Sequence, residues 1–271
     1  MNSSVQTKFK QWPKTWILNW VILIGIAYVV YLSLPYIEYK GIFDQGSIIA
    51  FNIVKGIFKP TWSLLIDFSS KDAVPYLMLE TVAIAFLGTI VGAILAIPLA
   101  FLSSRNMVPH WVTVLTTFFI ALIRTMPAFV YGLMFIRVTG PGPFTGVLTL
   151  GVSSIGMIAK LYVEFIEDLD KGIIEALDAT GCTTLQKIRY GVIPQLMGNF
   201  VSTTLYRFEI NVKNATILGL IGAGGIGGPI MFALGGYRWN DLGALLIGLI
   251  VIVLIIEAIS IRLRKKLAVG E

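Results

Sequence analysis

The sequence predicts an all-α integral membrane protein with about six transmembrane helices. Only 13% of the 271 residues are charged, whereas soluble domains have about 25%. Apolar residues make up 56% of the chain and give a mean hydropathy of +0.82. A helix needs about 20 mainly apolar residues to cross the hydrocarbon layer, and several stretches reach this length. They are 16–34, 78–102, 112–137, 144–166, 199–222 and 242–261.

The first of these stretches predicts an uncleaved span and not a signal peptide. Its apolar run of about 19 residues is too long for the apolar core of a signal peptide, and no A-x-A cleavage site follows it. We therefore expect a single transmembrane domain over 1–271. Its parts are a first span at 15–35, an outer segment with an interfacial helix at 36–76, and a core bundle at 77–266.

The cations beside the spans predict the orientation, because Lys and Arg concentrate in cytoplasmic loops. If there are six spans, four groups of cations fall on the same side of the membrane, and both termini are then cytoplasmic. These groups are Lys8, Lys10 and Lys14; Arg105 and His110; Lys171, Lys187 and Arg189; and Arg262, Arg264, Lys265 and Lys266. Orientation explains the net charge of +6, and we expect no nucleic-acid partner.

The fifth span contains three charges within two helical turns, in the segment YRFEINVKN. A charge at the centre of a membrane helix costs about 2.5–3.5 kcal/mol, so these side chains must face protein or water. At 100° per residue, Glu209 and Lys213 share one face and form a favourable i,i+4 pair. Arg207, Asn211 and Asn214 share a nearly opposite face. Two interpretations remain: a structural network between helices, or the lining of a solvated path.

A further cation, Arg124, lies near the middle of the third span. Pro127 follows three residues later, removes a backbone donor and predicts a bend in that helix. Together with the cations of the fifth span, Arg124 predicts a path suited to anions. The alternative is that these cations pair with carboxylates such as Glu80 or Glu164.

A glycine run, GLIGAGGIGGP, ends the fifth span. Part of it fits the G-x-G-x-x-G fingerprint, but that pattern indicates dinucleotide binding only between a strand and a helix. We therefore reject this function here. Glycines allow close helix packing or local unwinding where protein shields the backbone. Two roles stay open, a packing corner or part of an outer gate, for Gly222, Gly224, Gly225 and Gly227.

Cysteine and histidine are too scarce for a disulfide framework or a metal centre. Cys182 is the only cysteine and His110 the only histidine. No nucleophile with a base and no Cys/His cluster is evident, so we expect neither catalytic residues nor metal ligands. Nothing resembles a P-loop.

The longest polar interruption on the cytoplasmic side is EALDATGCTTLQKIRYGVIP. Gly181 suits a left-handed helix C-cap. Thr183 and Gln186 fit a capping box that begins a second short helix. Pro194 suits the first turn of the next helix. These cap and first-turn residues predict a stiff helix–turn–helix knob that docks on a partner. The alternative is an ordinary connecting loop.

This stretch, within 169–195, resembles the EAA loop of ABC-importer permeases. The motif reads E-A-A, three residues, G, nine residues, I-x-L-P. The positions that match it are Glu175, Ala176, Gly181 and Pro194. The departures are Leu177 for the third motif residue, Gly191 for isoleucine and Ile193 for leucine.

Nearly the whole chain resembles the phosphonate-type permease family, the PhnE family. The segments that carry this resemblance are ETVAIAFLGTIVGAILAIPLAFLSSRN, LIRTMPAFVYGLMF, IGMIAKLYVEFIEDLDKGIIEALDATG, LYRFEINVKNATILGLIGAGGIG, KPTWS and SIRLRKKL. The resemblance implies a type I ABC importer permease-like bundle with a cytoplasmic coupling helix, in a bacterial inner membrane. Its implied partners are a second permease copy, two ATPase subunits, an external substrate-binding protein and membrane lipid.

The resemblance also implies where the chemistry lies. ATP and Mg²⁺ would bind the partner ATPase, leaving no cofactor on this chain. A phosphonate or a related phosphorus oxyanion is the implied cargo. The expected pathway residues are Arg124, Arg207, Glu209, Asn211, Lys213 and Asn214. The expected ATPase-coupling residues are Glu175, Ala176, Gly181 and Pro194. The alternatives are an ion-coupled secondary transporter of an anion and, less favoured, a membrane enzyme.

Overall fold

The computed structural model describes residues 15–37 and 45–269, and every regular element in these ranges is helical. The chain divides into two compact units, Met1–Ala50 and Phe51–Glu271. The N-terminal cations used above for orientation, Lys8, Lys10 and Lys14, lie outside the described residues. So do residues 38–44 of the predicted outer segment.

The first unit contains helix α1, Thr15–Ser33, followed by a 3₁₀ turn at Leu34–Tyr36. Together they form a 22-residue apolar span, Thr15–Tyr36. Its sequence carries no charged side chain, as a helix that faces lipid requires. The span corresponds to the first predicted stretch.

Helix α2, Gly46–Phe58, crosses the unit boundary after Ala50, and the remaining helices belong to the second unit. A π-helical turn at Ile188–Val192 joins α9 to α10 without a break. The further helices are α3 Trp62–Ile66, α4 Val74–Ser103, α5 His110–Thr125, α6 Ala128–Thr139, α7 Pro143–Glu167, α8 Lys171–Ala179, α9 Thr184–Lys187, α10 Ile193–Leu220, α11 Gly227–Gly235 and α12 Trp239–Val269.

Each of the predicted spans corresponds to one long helix except the third, 112–137, which contains the end of α5 and the start of α6. Within 15–37 and 45–269, helices α1, α4, α7 and α12 are long and apolar enough to cross a membrane, and the α5–α6 pair makes a fifth span if counted together. Helix α10 has 28 residues. At 1.5 Å per residue it is about 42 Å long, enough to cross the bilayer, but its three charges make it more polar than the others.

The centre of the bundle is the packing of α4 against α7. Gly88 and Gly92 lie one turn apart on α4, and small residues at this spacing let membrane helices approach closely. A Cβ atom added to Gly88 would lie 2.6 Å from Cβ of Leu150, and one added to Gly92 would lie 2.6 Å from Cβ of Ser154. The interface therefore has no room for larger side chains at these two positions.

The predicted bend at Pro127 is a sharp break. Helices α5 and α6 meet at an angle of 85° across Met126 and Pro127. The hydroxyl of Tyr131 on α6 donates to the carbonyl oxygen of Ile123 on α5 at 3.0 Å and holds this angle. The break places the end of α5 and the start of α6 beside α7 and α10, which is where the candidate site lies.

The loop predicted to be cytoplasmic forms the expected knob, with one difference. Helix α8 ends before Gly181, whose φ of +75° is the left-handed conformation expected at the cap. The amide of Thr183 donates to Oε1 of Gln186 at 2.8 Å, as in the predicted capping box. Pro194 lies in the first turn of α10, as predicted, but α10 follows α9 through the π-helical turn without a break.

The outer segment is tied to the last span. The backbone of Gly56 on α2 lies directly against Trp239 at the start of α12. The hydroxyl of Thr61 donates to Oδ1 of Asp241 at 2.6 Å, and the amide of Thr61 donates to the carbonyl oxygen of Asn240 at 3.1 Å. The predicted interfacial helix thus packs on protein with its second half.

Candidate functional site

A cavity of about 420 Å³ lies between the α5–α6 break, α7 and α10. One part of its wall is polar and cationic, formed by Arg124, Ser153, Arg207 and Asn214. The rest is apolar. Its apolar lining residues are Ile123, Met126, Ala128, Phe129, Met157, Ile217 and Leu218. The cavity brings together three residues that the sequence predicted for the pathway from two different spans.

The Arg207 guanidinium is held by the neighbouring helix α7. Its Nε donates to the hydroxyl of Ser154 at 3.0 Å, and Nη2 donates to the hydroxyl of Ser153 at 3.3 Å. Nη1 lies 3.0 Å from the sulfur of Met157. All these partners are neutral. Among the described residues, no carboxylate oxygen lies within 4.0 Å of Arg207, although the side chain is only 8% exposed.

Arg207, which lines the cavity, keeps hydrogen-bonding capacity beyond these contacts. A guanidinium has five N–H donors, and three of them point to the partners on α7. One donor remains on each terminal nitrogen. A pair of parallel donors of this kind matches a carboxylate or a phosphorus oxyanion.

Arg124 supplies a second positive charge from the last turn of α5. Its stem packs over Gly156, where an added Cβ would lie 2.5 Å from Cγ of Arg124. The carboxylates considered as partners from sequence are engaged elsewhere. Glu164 pairs with Lys160 at 3.4 Å, and Glu80 accepts from the amide of Gly225 at 3.1 Å.

The other two charged residues of α10, Glu209 and Lys213, form an ion-pair network with Glu257 and Arg264 of α12, which we call the α10–α12 ladder. Oε1 of Glu209 lies 3.4 Å from Nζ of Lys213, as the i,i+4 spacing predicted, and Oε2 accepts from Nη2 of Arg264 at 3.0 Å. Lys213 also lies 3.9 Å from Glu257. The four side chains carry two positive and two negative charges, so the ladder is neutral. It lies outside the cavity lining.

Asn211 occupies a different place from the one its helical face suggested. It is fully buried, and its Nδ2 donates to the hydroxyls of Thr89 and Ser154, both at 2.8 Å. Ser154 in turn accepts from Arg207. Asn211 thus joins α4, α7 and α10 behind the cavity wall. Its Oδ1 has no hydrogen-bond partner within the described part of the chain.

The glycine run forms a buried corner after α10. Gly222, Gly224 and Gly225 have φ values of +94°, +84° and +74°, which only glycine adopts without strain. Side chains of α4 satisfy the corner's backbone donors, since Glu80 accepts from Gly225 and Thr81 accepts from the amide of residue 226 at 2.9 Å. The corner packs against α4 in this structure, and the two roles, in packing or in an outer gate, stay predictions.

A known protein family covers two thirds of this chain. The family described as "Binding-protein-dependent transport system inner membrane component" matches residues 88–268. The chain belongs to this family. It is the membrane-embedded permease subunit of an ABC importer and not an enzyme, and the alternative of an ion-coupled secondary transporter is not favoured.

Individual relatives agree with this assignment. The permease is 32% identical over 200 residues to the phosphite transport system permease protein PtxC of Stutzerimonas stutzeri. The aligned region covers 73% of each of the two chains. It is 35% identical over 190 residues to the phosphate-import permease protein PhnE of Mycolicibacterium smegmatis, covering 70% of this chain and 36% of that protein. Its fold matches a chain of the MetNI methionine ABC transporter in an inward-facing conformation, with a TM-score of 0.63 at 21% identity, covering 70% and 93% of the two chains.

The permease presents its predicted coupling residues on one exposed knob. Glu175 and Ala176 are exposed on α8, and Gly181 and Pro194 are also exposed. Lys187 on α9 forms an ion pair with Asp178 on α8, which closes the knob on itself. Among the described residues, the Glu175 carboxylate forms no salt bridge, and all the predicted coupling residues are exposed on this surface.

Sequence reasoning missed the residues that hold the site together. Ser153, Ser154 and Thr89 are ordinary small polar residues on apolar helices, and nothing in their spacing marks them as partners of Arg207. Glu257 and Arg264 gave a usable signal, because they lie seven residues apart on the last span and so share one helical face.

Proposed function

We propose that this permease forms, with a second copy of itself, the path for a small phosphorus oxyanion of the phosphonate, phosphite or phosphate class. The observation that carries the proposal is the cavity in which Arg124 and Arg207 meet without a carboxylate partner among the described residues. The charges of the α10–α12 ladder cancel, so the ladder does not offset the positive charge of Arg124 and Arg207 at the cavity.

The start of α6 adds to the attraction for an anion. Ala128 and Phe129 line the cavity at the helix N-terminus, where backbone N–H groups lack acceptors and the helix dipole is positive. Broken membrane helices direct such N-termini at anionic cargo in other transporters. In this permease the two arginines and the α6 N-terminus lie on the same cavity.

The names of the relatives support phosphorus as the central atom. One relative is a phosphite permease and another a phosphate-import permease. A tetrahedral oxyanion presents two oxygens to the paired donors of Arg207 and its remaining substituent to the apolar wall. The site is weak in this proposal because conduction requires release, and the affinity resides in the external binding protein.

The permease works in this proposal with two ATPase subunits that carry ATP and Mg²⁺ on the cytoplasmic side. The α8–α9 knob, with Glu175, Ala176, Gly181 and Pro194, docks on the ATPase and transmits its motion to α7 and α10. Both termini of the permease are cytoplasmic. The surplus of cations in the last turns of α12 supports this orientation, since cytoplasmic flanks are rich in Lys and Arg.

Uptake by the reconstituted transporter tests the cargo and the energy source together. In proteoliposomes with the ATPase and the external binding protein, we expect uptake of phosphite, phosphonate or phosphate that requires ATP and is insensitive to collapse of the proton gradient. Methionine and glycine betaine should not be taken up. Uptake that follows the proton gradient, or no uptake of any phosphorus oxyanion, would contradict the proposal.

The coupling role is tested at the knob. We expect Glu175→Lys or Gly181→Asp to abolish uptake and to weaken retention of the ATPase, because the first reverses an exposed charge and the second adds a side chain at the positive-φ turn. The permease should still insert at normal levels. Co-purification of the ATPase in detergent measures docking; full retention in both variants would exclude the knob as the docking element.

A further inference from the structure

The ion ladder between α10 and α12 is open on one side. The Lys213 side chain is 48% exposed and that of Glu257 is 42% exposed, whereas their partner Glu209 is only 11% exposed. Lys213 lies seven residues before the end of α10 at Leu220, about 10 Å inside the helix end. Glu257 lies 12 residues before the end of α12 at Val269. Both charges are therefore at membrane depth.

Lipid is a poor cover for this surface. Each exposed charge at the centre of a span costs about 2.5–3.5 kcal/mol in hydrocarbon. Apolar side chains next to Lys213 on the same side of α10 are also exposed, among them Ile217 at 50% and Leu220 at 42%. We call the surface formed by Lys213, Ile217 and Leu220 of α10 with Glu257 of α12 the α10–α12 face. Its mixed character indicates that protein covers it.

Charge complementarity identifies the cover as the same surface of a second copy. Two copies inserted in the same direction are related by a twofold axis along the membrane normal, so each residue meets partner residues at its own depth. Lys213 and Glu257 lie at one depth, because their charged atoms are 3.9 Å apart. When the twofold axis passes between Lys213 and Glu257, each of these side chains faces the oppositely charged side chain of the second copy. The α1 sequence, by contrast, offers no charged side chain at all.

We propose that a second copy of this chain packs on the α10–α12 face, with Lys213 of one copy meeting Glu257 of the partner subunit. The inference rests on the proposed pairing of permeases and adds the surface that makes it. Ile217 belongs both to this face and to the cavity lining. The contact between copies therefore begins at the rim of the anion cavity, and the second copy closes the open side of that cavity.

Cysteine cross-linking in the assembled transporter tests the contact. Cys182→Ser first removes the only native cysteine. In that background, Lys213→Cys and Glu257→Cys together should give a permease dimer with a short bifunctional thiol reagent, in membranes without cargo or ATP. The matched control is Ile255→Cys, which is 48% exposed on α12 but lies about 160° around the helix from Glu257. It should give no dimer.

Lys213→Cys and Glu257→Cys remove charges that the proposed contact uses, so a variant that keeps both charges is also needed. Leu254→Cys retains the ladder, is 59% exposed and lies within about 60° of Glu257 on the same helix. It should also give the dimer. The inference is overturned if none of the variants on the face cross-links, or if Ile255→Cys cross-links equally well. It is also overturned if a membrane-impermeant thiol reagent labels Lys213→Cys fully without any dimer, since water then covers the face. In those cases intact ATP-driven oxyanion uptake would leave the proposed function standing.

Discussion

Replacement of Arg207 by methionine is expected to lower oxyanion uptake by on the order of a hundredfold, while the permease still inserts and retains its ATPase. Methionine fills much of the same volume and packs well in irregular apolar surroundings, but it removes the positive charge and the N–H donors of a cavity-lining side chain. Hydrogen bonds to charged groups contribute about 1.5–3 kcal/mol each, and about 1.4 kcal/mol corresponds to a factor of ten. The measurement is the initial rate of uptake at matched permease levels.

Arg137→Met is the matched control for this experiment. Arg137 is an exposed arginine in the last turn of α6, and it lies outside the cavity lining. The same loss of a positive charge there should change uptake by less than about twofold, as is usual for surface substitutions away from a site. Unchanged uptake in Arg207→Met would remove this residue from the path. An equal loss in both variants would trace the effect to net charge and not to the cavity.

The long helices could be predicted from sequence because hydropathy and length act locally. Each apolar stretch is helical, and Pro127 marked the place where the third stretch breaks into two helices. The size of the break could not be predicted, because a missing backbone donor permits a bend without fixing its angle. The angle depends on the bond from Tyr131 to Ile123, which exists only once α6 has folded back on α5.

Helical periodicity predicted which residues of α10 share a face, but not what each face meets. Arg207 and Asn214 do line one cavity, and Arg124 reaches it from another span. Asn211 lies about 40° from Arg207 and about 60° from Asn214 around the helix, yet its amide contacts α4 and α7, because Thr89 and Ser154 provide hydroxyls there. Such contacts link residues 50 to 120 positions apart, so a single sequence carries no local signal for them.

Replacement of Gly191 by isoleucine is expected to uncouple ATP hydrolysis from uptake. Gly191 lies in the π-helical turn, and an added Cβ would overlap Cδ1 of Leu177 on α8. Overpacking of this kind costs about 1–3 kcal/mol and would push α8 away from the turn. We expect the ratio of cargo imported to ATP hydrolysed in proteoliposomes to fall by on the order of tenfold, since about 1.4 kcal/mol corresponds to that factor.

Leu177→Ala should repair this defect when both changes are combined. In the EAA motif that the knob resembles, alanine stands at the position of Leu177 and isoleucine at that of Gly191. In this structure the large residue, Leu177, contacts the small one, Gly191, whereas the motif has the small residue first and the large one second. The two departures from the motif therefore compensate each other in volume. The combined variant should recover coupling to within about twofold, and the double-mutant interaction energy should be about 1–3 kcal/mol and favourable.

Leu185→Ala combined with Gly191→Ile separates volume compensation from a general effect of a smaller side chain. Leu185 is a leucine of the same knob, on α9, and is 79% exposed, so its removal frees no space at Gly191. This combination should remain uncoupled. Rescue by Leu185→Ala, or additive losses for Leu177→Ala with Gly191→Ile, would mean that the two positions do not share a volume constraint. If only Leu177→Ala rescues, the contact between α8 and the π-helical turn fixes the angle at which the knob meets the ATPase, and the motif constrains their combined volume more than either residue alone.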